Sequence, residues 1–278
     1  MKAKEKTQDQ MVIERPPMRR IRVCVLGLTP MIFNSVSYKA MCDLLLPPRK
    51  KNQTERESTL KHDPRAEYGA SVYRFRNDDH ATRLYAPVGS FKKSMMAAAL
   101  RIPGATKTEI GQLLWIDEFN VPIYGVPQLK MDVVRMKDIG RTPDIRTRAI
   151  LPRWASYLSV NYVSYSLTDQ SLMNLLSAAG LLSGIGDGRQ EKGTHAFGQF
   201  EIVNEDNETF QSIVKHEGRK AQDAGLADPA MFDDQTERLL AYYDQELARR
   251  KNPPQEKEKA SKKRGNGAAR NVEIQTEA

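Results

Sequence analysis

Cysteine is nearly absent from this chain: Cys24 and Cys42 are the two cysteines among 278 residues. Neither belongs to a CxxC or cysteine–histidine spacing, which argues against a zinc site and against a disulfide framework. We therefore expect no metal and no cofactor. Free cysteines in this number fit a reducing compartment, so the expected location is the cytoplasm.

Long apolar runs and recognised catalytic motifs are missing as well. No stretch approaches the ~20 apolar residues of a membrane helix, and the polar first ten residues lead into no apolar export segment. We expect no membrane association. The chain has no GxSxG, HExxH or paired metal-carboxylate pattern. The neighbours His62-Asp63 and Asp78-Asp79-His80 lie in polar stretches typical of surface loops, so no catalytic residue is expected.

Positive charge is what the chain has in excess. It carries 43 Lys and Arg against 35 Asp and Glu, a formal net charge of +8, and its 40% hydrophobic residues are enough for a folded core. A basic balance of this size favours a polyanionic partner. We divide the chain into a flexible arm (1–17), one folded domain (18–250) with insertions at about 40–80 and 105–155, and a disordered basic tail (251–278).

The order of the elements predicts an α+β fold with a ferredoxin-like or RNA-recognition-motif-like (RRM-like) core, inserted loops, a β-hairpin and a helical C-terminal extension. Period-two alternation indicates strands, and apolar residues at i, i+3 and i+4 indicate helices. We expect Ser90 to cap one helix, and Thr168 and Gly180 to begin and end another. The predicted elements are strand 20–26, helix 91–101, hairpin 129–150, strand 158–162, helix 168–179, strand 199–202 and helix 236–250.

A glycine-rich loop after the second helix carries the strongest functional signal. Glycine permits positive φ and close backbone approach, so neighbouring amides can bind a phosphate. The loop follows a helix and precedes a strand, which excludes a dinucleotide-binding fingerprint. A plain flexible connection is the alternative. The candidate RNA-binding residues of the loop are Gly184, Gly186, Gly188, Arg189, Lys192 and His195.

The hairpin and the first helix carry the remaining candidates. Arg141, Arg146, Arg148 and Arg153 with Trp154 combine the phosphate contacts and base stacking that single-stranded RNA needs, and a strand places Arg146 and Arg148 on one face. The alternative is a solvated hairpin with Trp154 in the core. Near the start of the helix, where free amides attract phosphate, lie Ser90, Lys92 and Lys93.

Two of these segments resemble a known family. Residues 85–95 (YAPVGSFKKSM) resemble the "I-P-G-S-S-L-[KR]-G" step into the first helix of the RAMP superfamily, the backbone proteins of CRISPR effector complexes. Residues 184–201 are similar to the glycine loop of the same proteins. The resemblance covers roughly residues 20–203. It implies an RRM-like core, a hairpin thumb and side-by-side protomers that hold a guide RNA, which can pair with target RNA or DNA.

The function that we expect is therefore a non-catalytic protein that binds a guide or other single-stranded RNA and self-associates along it. Some family members cut target RNA with an aspartate in the loop after the first strand. Here residues 27–41 contain no acidic residue, and Asp43 is the first candidate. Two alternatives remain open: a ribonuclease of the same superfamily, and a single-stranded DNA-binding or annealing protein of a mobile element.

Overall fold

The structure is a computed structural model that describes residues 14–46, 60–135, 142–192 and 195–251. It has a mixed α+β architecture with antiparallel sheets, as the sequence pattern predicts. The predicted tail, all but the end of the predicted arm, and Arg141 lie outside the described residues.

Strands and helices are mixed along the described chain, which contains a run of five consecutive strands and ends in three helices. The strands are β1 (Met18–Gly27), β2 (Met31–Ile32), β3 (Tyr85–Pro87), β4 (Leu114–Ile116), β5 (Asn120–Pro122), β6 (Gln128–Arg135), β7 (Pro143–Leu151), β8 (Ala155–Val163) and β9 (Phe200–Val203). The helices are α1 (Tyr38–Leu44), α2 (Pro64–Ala70), α3 (Val88–Ala99), α4 (Lys107–Leu113), α5 (Asp169–Ala178), α6 (Glu208–His216), α7 (Arg219–Ala227) and α8 (Asp234–Lys251).

A four-stranded sheet in the order β4-β8-β1-β9 forms the centre, and all its neighbouring strands are antiparallel. β1 and β8 pair along their whole length, from Met18 opposite Val163 to Leu26 opposite Ala155. A second sheet, β2-β7-β6, carries the hairpin, and β3 pairs with β5 in a third. The hairpin prediction is confirmed, since β6 and β7 pair from Gln128–Ile150 to Arg135–Pro143.

Alternation along β1 divides the core between the two faces of the central sheet. Val23 and Val25 belong to the large cluster, where α3 and α5 pack, whereas Cys24 and Leu26 belong to a smaller cluster with Phe210 of α6. Burial of a large apolar side chain contributes ~1.5–3 kcal/mol, so the first face supplies most of the stabilisation. It also fixes where α3 and α5 begin and end.

Two predicted helix boundaries are wrong for identifiable reasons. Helix α3 begins at Val88, because β3 runs directly into it and Pro87 is its N-cap; Ser90 therefore lies within the first turn and is not the cap. Thr168 caps α5 as predicted, but Gly180 does not end it in a left-handed conformation. The chain continues as a π-helical turn (Ala179–Ser183), and a Cβ at Gly180 would overlap the Phe200 carbonyl.

Other differences come from short elements. β4 is the edge strand of the central sheet but has three residues, too few for a visible period. α2 and α4 lie within the predicted insertions, capped by Asp63 and by a Thr106–Glu109 capping box. No helix within the described ranges is long and apolar enough to span a bilayer. The described residues also contain no cluster of three or more potential metal ligands.

Candidate nucleic-acid interface

Three segments that are distant in sequence border one cleft of about 230 Å³. The first is β2 with the two residues that follow it, the second is the start of α3, and the third is the glycine loop. We call it the glycine-loop cleft; its lining includes Ile32, Ser90, Gly186, Asp187 and Arg189. The fold therefore brings together both sequence segments that carry the RAMP resemblance.

The start of α3 forms one wall. Its N-cap, Pro87, offers no side-chain hydrogen bond, and the Val88 amide donates to Phe119 O at 2.9 Å, so the amides of Gly89 and Ser90 carry the partial positive charge of the helix end. Lys92 is half-buried and Lys93 exposed, and neither forms an ion pair with any residue that the structure describes. A Cβ at Gly89 would lie 3.9 Å from Cε of Lys93, so that side chain runs back along the first turn. Neither lysine lines the cleft itself, so their positive charge lies beside this wall, and no carboxylate of the described residues pairs with it.

The backbone of the glycine loop forms the opposite wall. Gly184, Gly186 and Gly188 have φ of 70°, 81° and 63°, so every second residue is left-handed. The amides of Ile185 and Asp187 donate to the carbonyls of Gly198 and Ile32, both at 2.9 Å. The amides of Gly186 and Gly188 donate to no acceptor within the described ranges. Alternating conformations of this kind form concave anion-binding turns.

The loop is fixed in place rather than a flexible connection. Besides the two bonds just named, the Gly198 amide donates to Pro30 O at 2.8 Å, and the Thr29 hydroxyl donates to Ala196 O at 2.6 Å. The glycines also serve packing. A Cβ at Gly186 would lie 2.7 Å from Ile32 O, and one at Gly184 would lie 2.9 Å from Gly198 O. Backbone shape and close packing therefore depend on the same residues.

The arginines nearest the loop are already paired with carboxylates. Arg148 of β7 forms an ion pair with Asp187, and its side chain is 13% exposed. Arg189 donates to Glu191 at 2.8 Å and to Gly186 O at 3.3 Å. The Nε atom of Arg148 is buried without a hydrogen-bond partner. Arg148 thus holds the loop against the hairpin and Arg189 bonds within the loop, and both roles limit the positive charge available to a ligand.

Asp187 is the residue that the sequence analysis missed. It lies between two glycines of the loop and bonds to Ile32 O through its amide and to Arg148 through its carboxylate. The signal was an acidic side chain placed between two glycines of the segment. Spacing alone could not show that its partner lies 39 residues earlier on another strand.

Trp154 requires a correction, because it is fully buried. Its Nε1 donates to Thr29 O at 3.0 Å and its ring packs on Phe200, so no face is available for stacking on a base. Of the two placements considered for Trp154, stacking on a base or packing in the core, the core is the one observed. Gly27 leaves room for the ring, since a Cβ there would overlap the indole.

Other candidates lie apart from the cleft. Arg153 is exposed and pairs with Glu217, whose side chain is buried at the end of α6. Arg146 is exposed on the hairpin, with Asp144 at 3.8 Å. His195 is exposed at the far end of the loop, where its ring lies 5.4 Å from that of Phe197. Lys192 ends a short 3-10 turn, and its side chain is not among the described ones.

The histidine of the His62-Asp63 pair has a structural role in the described chain. His62 Nδ1 lies 2.7 Å from Glu67 Oε1 and its Nε2 lies 3.0 Å from Asp144 Oδ1, so both ring nitrogens face carboxylates. Lys61 pairs with Asp144 as well. Burial acts to raise the pKa of Asp144, but the hydrogen bonds and charges of Lys61 and His62 outweigh it and lower that pKa. The cluster ties the segment before α2 to the hairpin.

Comparison with solved structures gives several distant likenesses. The crystal structure of Cmr6 from Pyrococcus furiosus is similar with a TM-score of 0.34 and 8% identity, over 67% of this chain and 98% of that one. The structural neighbours of this chain are subunits of CRISPR complexes. A chain of the cryo-EM structure of Type III-B Cmr-beta bound to cognate target RNA has a TM-score of 0.34 and 13% identity, over 67% of this chain and 59% of that one.

A third neighbour is a chain of a CRISPR RNA-guided surveillance complex, with a TM-score of 0.28 and 11% identity, over 84% of this chain and 86% of that one. These neighbours belong to the group of proteins that the two sequence segments resemble. The likeness names a kind of protein and gives no residue-by-residue correspondence. No family model and no curated protein matches this chain in sequence.

Proposed function

We propose that this chain is a non-catalytic RNA-binding protein that assembles along a guide or other single-stranded RNA in a CRISPR-like ribonucleoprotein complex. The observation that carries the proposal is the meeting of the lysine-bearing start of α3 with the glycine loop at one cleft. Each wall offers backbone amides without acceptors, a feature suited to a phosphate. Two such walls facing one another suit a nucleic-acid backbone.

The available charge supports a phosphate contact at this cleft more than a base contact. Lys92 and Lys93 are unpaired among the described residues, whereas Arg148 and Arg189 are engaged by carboxylates. The lysines would attract the strand, and the amides of Gly186 and Gly188 would hold a phosphate oxygen. Recognition of this kind reads the backbone and not the sequence.

The fold supports the finer part of the proposal. Along the chain, β1, α3, β4, β8, α5 and β9 follow the order strand, helix, strand, strand, helix, strand, and the sheet order β4-β8-β1-β9 is that of a ferredoxin-like or RRM-like core. In this interpretation β6 and β7 are the thumb. Self-association into a stacked oligomer, and pairing of the bound RNA with target RNA or DNA, belong to the same proposal.

The first experiment identifies the bound nucleic acid. We expect short RNA of uniform length to copurify with the full chain, and mass photometry with longer RNAs to show mass rising in protomer-sized steps. One protomer per RNA at every length would contradict self-association. Copurified DNA would instead favour the annealing protein, and shortening of the RNA on incubation would favour the ribonuclease.

The second experiment tests the cleft itself. Lys92→Gln with Lys93→Gln should weaken single-stranded RNA binding and flatten the log–log salt dependence by about 0.7 for each lost phosphate contact. Lys215→Gln with Lys220→Gln on α6 and α7 removes the same charge from two other exposed lysines and is the matched control. Equal effects of the two pairs on affinity and slope would show that general charge, and not this cleft, binds the RNA.

A further inference from the structure

A second groove lies on other elements, around β3, β5 and the loop that follows Phe75. It has a volume of about 510 Å³, within the ~300–1,000 Å³ of pockets that take drug-sized ligands. We call it the arginine–aromatic groove. Its lining includes Arg74, Arg76, His80, Tyr85, Phe119 and Asn120. None of these residues lines the glycine-loop cleft.

Aromatic rings form the floor and rim of this groove. The ring of His80 is stacked on Phe75 at 3.7 Å, and Phe75 lies 4.8 Å from Tyr85. Phe119 stands at the rim with 85% of its surface exposed, although exposure of such a ring to water is unfavourable. Rings arranged in this way are platforms on which the bases of a single strand stack.

Arginines without carboxylate partners accompany the rings. Arg76 is exposed and bonds to no residue that the structure describes, and Arg74 donates to Gly69 O at 2.7 Å. The acidic neighbour Asp78 is held on the other side by Arg83 and Arg219. Asp79 is exposed close by, so the groove is less positive than its arginines alone suggest. Phosphates would be bound by individual arginines rather than by a broad basic surface.

A carboxylate oxygen in the groove lacks a donor. Oε2 of Glu118 is buried and accepts no hydrogen bond from any residue that the structure describes. Leaving such an atom unpaired is unfavourable, and a donor on a ligand would remove that penalty. A carboxylate repels phosphate, but it accepts hydrogen bonds from the amino group of a base, as cytosine N4 provides. The unpaired oxygen therefore favours a ligand that presents the edge of a nucleobase.

The groove continues over the outer face of the central sheet. A second depression of about 350 Å³ shares His80, Glu118 and Asn120 with the first and extends to Arg22 and Tyr157. The guanidinium of Arg22 lies 4.2 Å from the centre of the Tyr157 ring. The two depressions share three residues and together offer several rings and arginines, an arrangement that suits a strand rather than a free mononucleotide.

The loop that carries His80 is held in position. Arg219 donates to His80 O at 3.0 Å and to Asn77 O at 2.9 Å, and it also pairs with Asp78. A site whose parts are fixed before binding loses less entropy when the ligand arrives. From these observations we infer that the arginine–aromatic groove binds a segment of single-stranded nucleic acid and accepts the amino group of a base at Glu118. This inference goes beyond the proposed function, because it rests on other residues and stands without the cleft.

Fluorescence anisotropy with labelled oligo(rC), oligo(dC) and oligo(rU) tests the groove in the full chain. Arg76→Ala with Phe119→Ala should weaken oligo(rC) binding by about fivefold or more, the lower end of the loss at a stacking position. The matched control, Arg238→Ala with Tyr242→Ala, removes an exposed arginine and an exposed ring from α8. All variants should keep the wild-type thermal midpoint within a few degrees. Equal losses in the two pairs would overturn the inference.

Base preference tests the role of Glu118. Uracil has carbonyl oxygens on both sides of its ring N–H, whereas cytosine offers an amino group, so wild type should bind oligo(rC) more tightly than oligo(rU). Glu118→Ala should bring the ratio close to one. An unchanged ratio would overturn the base contact. Tighter binding of cytidine monophosphate than of oligo(rC) would overturn the strand in favour of a mononucleotide site.

Ultraviolet crosslinking with mass spectrometry separates this inference from the proposed function. Crosslinks to peptides containing His80 or Phe119 support the groove, whether or not the cleft is also crosslinked. Crosslinks confined to residues 88–93 and 184–198 would overturn the groove and leave the proposed function standing. Crosslinks confined to the groove would overturn the cleft as the RNA site and leave the groove standing, and crosslinks at neither place would overturn both sites.

Discussion

The glycine-loop cleft and the arginine–aromatic groove are shaped by different parts of the chain. In the cleft the backbone defines the surface, since three glycines with positive φ are fixed by hydrogen bonds to the segment after β1. Its arginines are engaged in ion pairs with Asp187 and Glu191. In the groove side chains define the surface, and Arg76 and Phe119 stand exposed.

The difference predicts how each region responds to substitution. A side chain at the rim of the groove can be removed at little cost in stability, because it packs on few neighbours. At Gly184, Gly186 and Gly198 of the loop an added Cβ would meet a backbone carbonyl, which cannot move as the end of a flexible side chain can. Stability and binding are therefore separable in the groove and coupled in the cleft.

The largest expected effect is at Gly198, whose φ is 71°. In Gly198→Val the new Cβ would overlap the Ile185 carbonyl. We expect a loss of about 2–5 kcal/mol in the free energy of unfolding, from ~1–2 for left-handed backbone and ~1–3 for overpacking. In a domain of this size that lowers the thermal midpoint by roughly 4–20 °C, which scanning fluorimetry measures.

Gly104 provides the matched control. It has φ of 82°, but a Cβ there would meet no atom within 4 Å. The free energy of unfolding of Gly104→Val should therefore fall only by the backbone contribution, ~1–2 kcal/mol. Equal midpoints for the two variants would contradict tight packing of the loop. The same geometry makes Gly186→Val a poor probe of RNA binding, because its Cβ would approach Ile32 O and lower stability together with affinity.

The sequence predicts the regular parts of this fold better than its contacts. Alternation along residues 20–26 and the Thr168 cap lead directly to β1 and α5, since both patterns are local. The positive φ of Gly186 and Gly188 was likewise anticipated from the residue type. The packing role of Gly180 could not be predicted, because the carbonyl of Phe200 that it accommodates is distant in sequence.

Side-chain partners explain the remaining differences at the site. A run of arginines in a hairpin indicates nucleic-acid binding only if the arginines are unpaired, and neither Asp187 nor Glu217 is near its arginine in sequence. Trp154 could be a stacking residue or a core residue on sequence alone, and burial decides for the core. The Arg74-Phe-Arg76 alternation was a local signal of the second groove.

A smaller effect is expected for Asp187→Asn in the cleft. The change breaks the ion pair with Arg148, whose side chain is mostly buried, so we expect a loss of about 1–3 kcal/mol in the free energy of unfolding. It also removes a negative charge from the cleft and leaves Arg148 with Asp132 alone, at 3.8 Å. RNA affinity should therefore rise, by about threefold or more, while stability falls.

Anisotropy titrations and chemical denaturation of the same preparations measure both quantities. Asp228→Asn, at an exposed site after α7, removes the same charge elsewhere and should change neither quantity appreciably. Weaker RNA binding by Asp187→Asn would mean that the ion pair holds the loop in its binding shape. The charges of the cleft would then support binding rather than limit it.

The smallest expected effect lies in the hairpin, outside both surfaces, at Asp144. Lys61, His62 and Arg146 face this carboxylate, and its pKa is lowered on folding. Stability from a lowered pKa is present above the unfolded value of ~3.9 and is lost as the pH falls through the folded pKa. The free energy of unfolding of Asp144→Asn should thus be about 1 kcal/mol lower than that of wild type at pH 5–7, with unchanged RNA affinity. The difference between their denaturation midpoints should shrink below about pH 4, and a difference that stays constant down to pH 2 would rule out a charge-based role for Asp144.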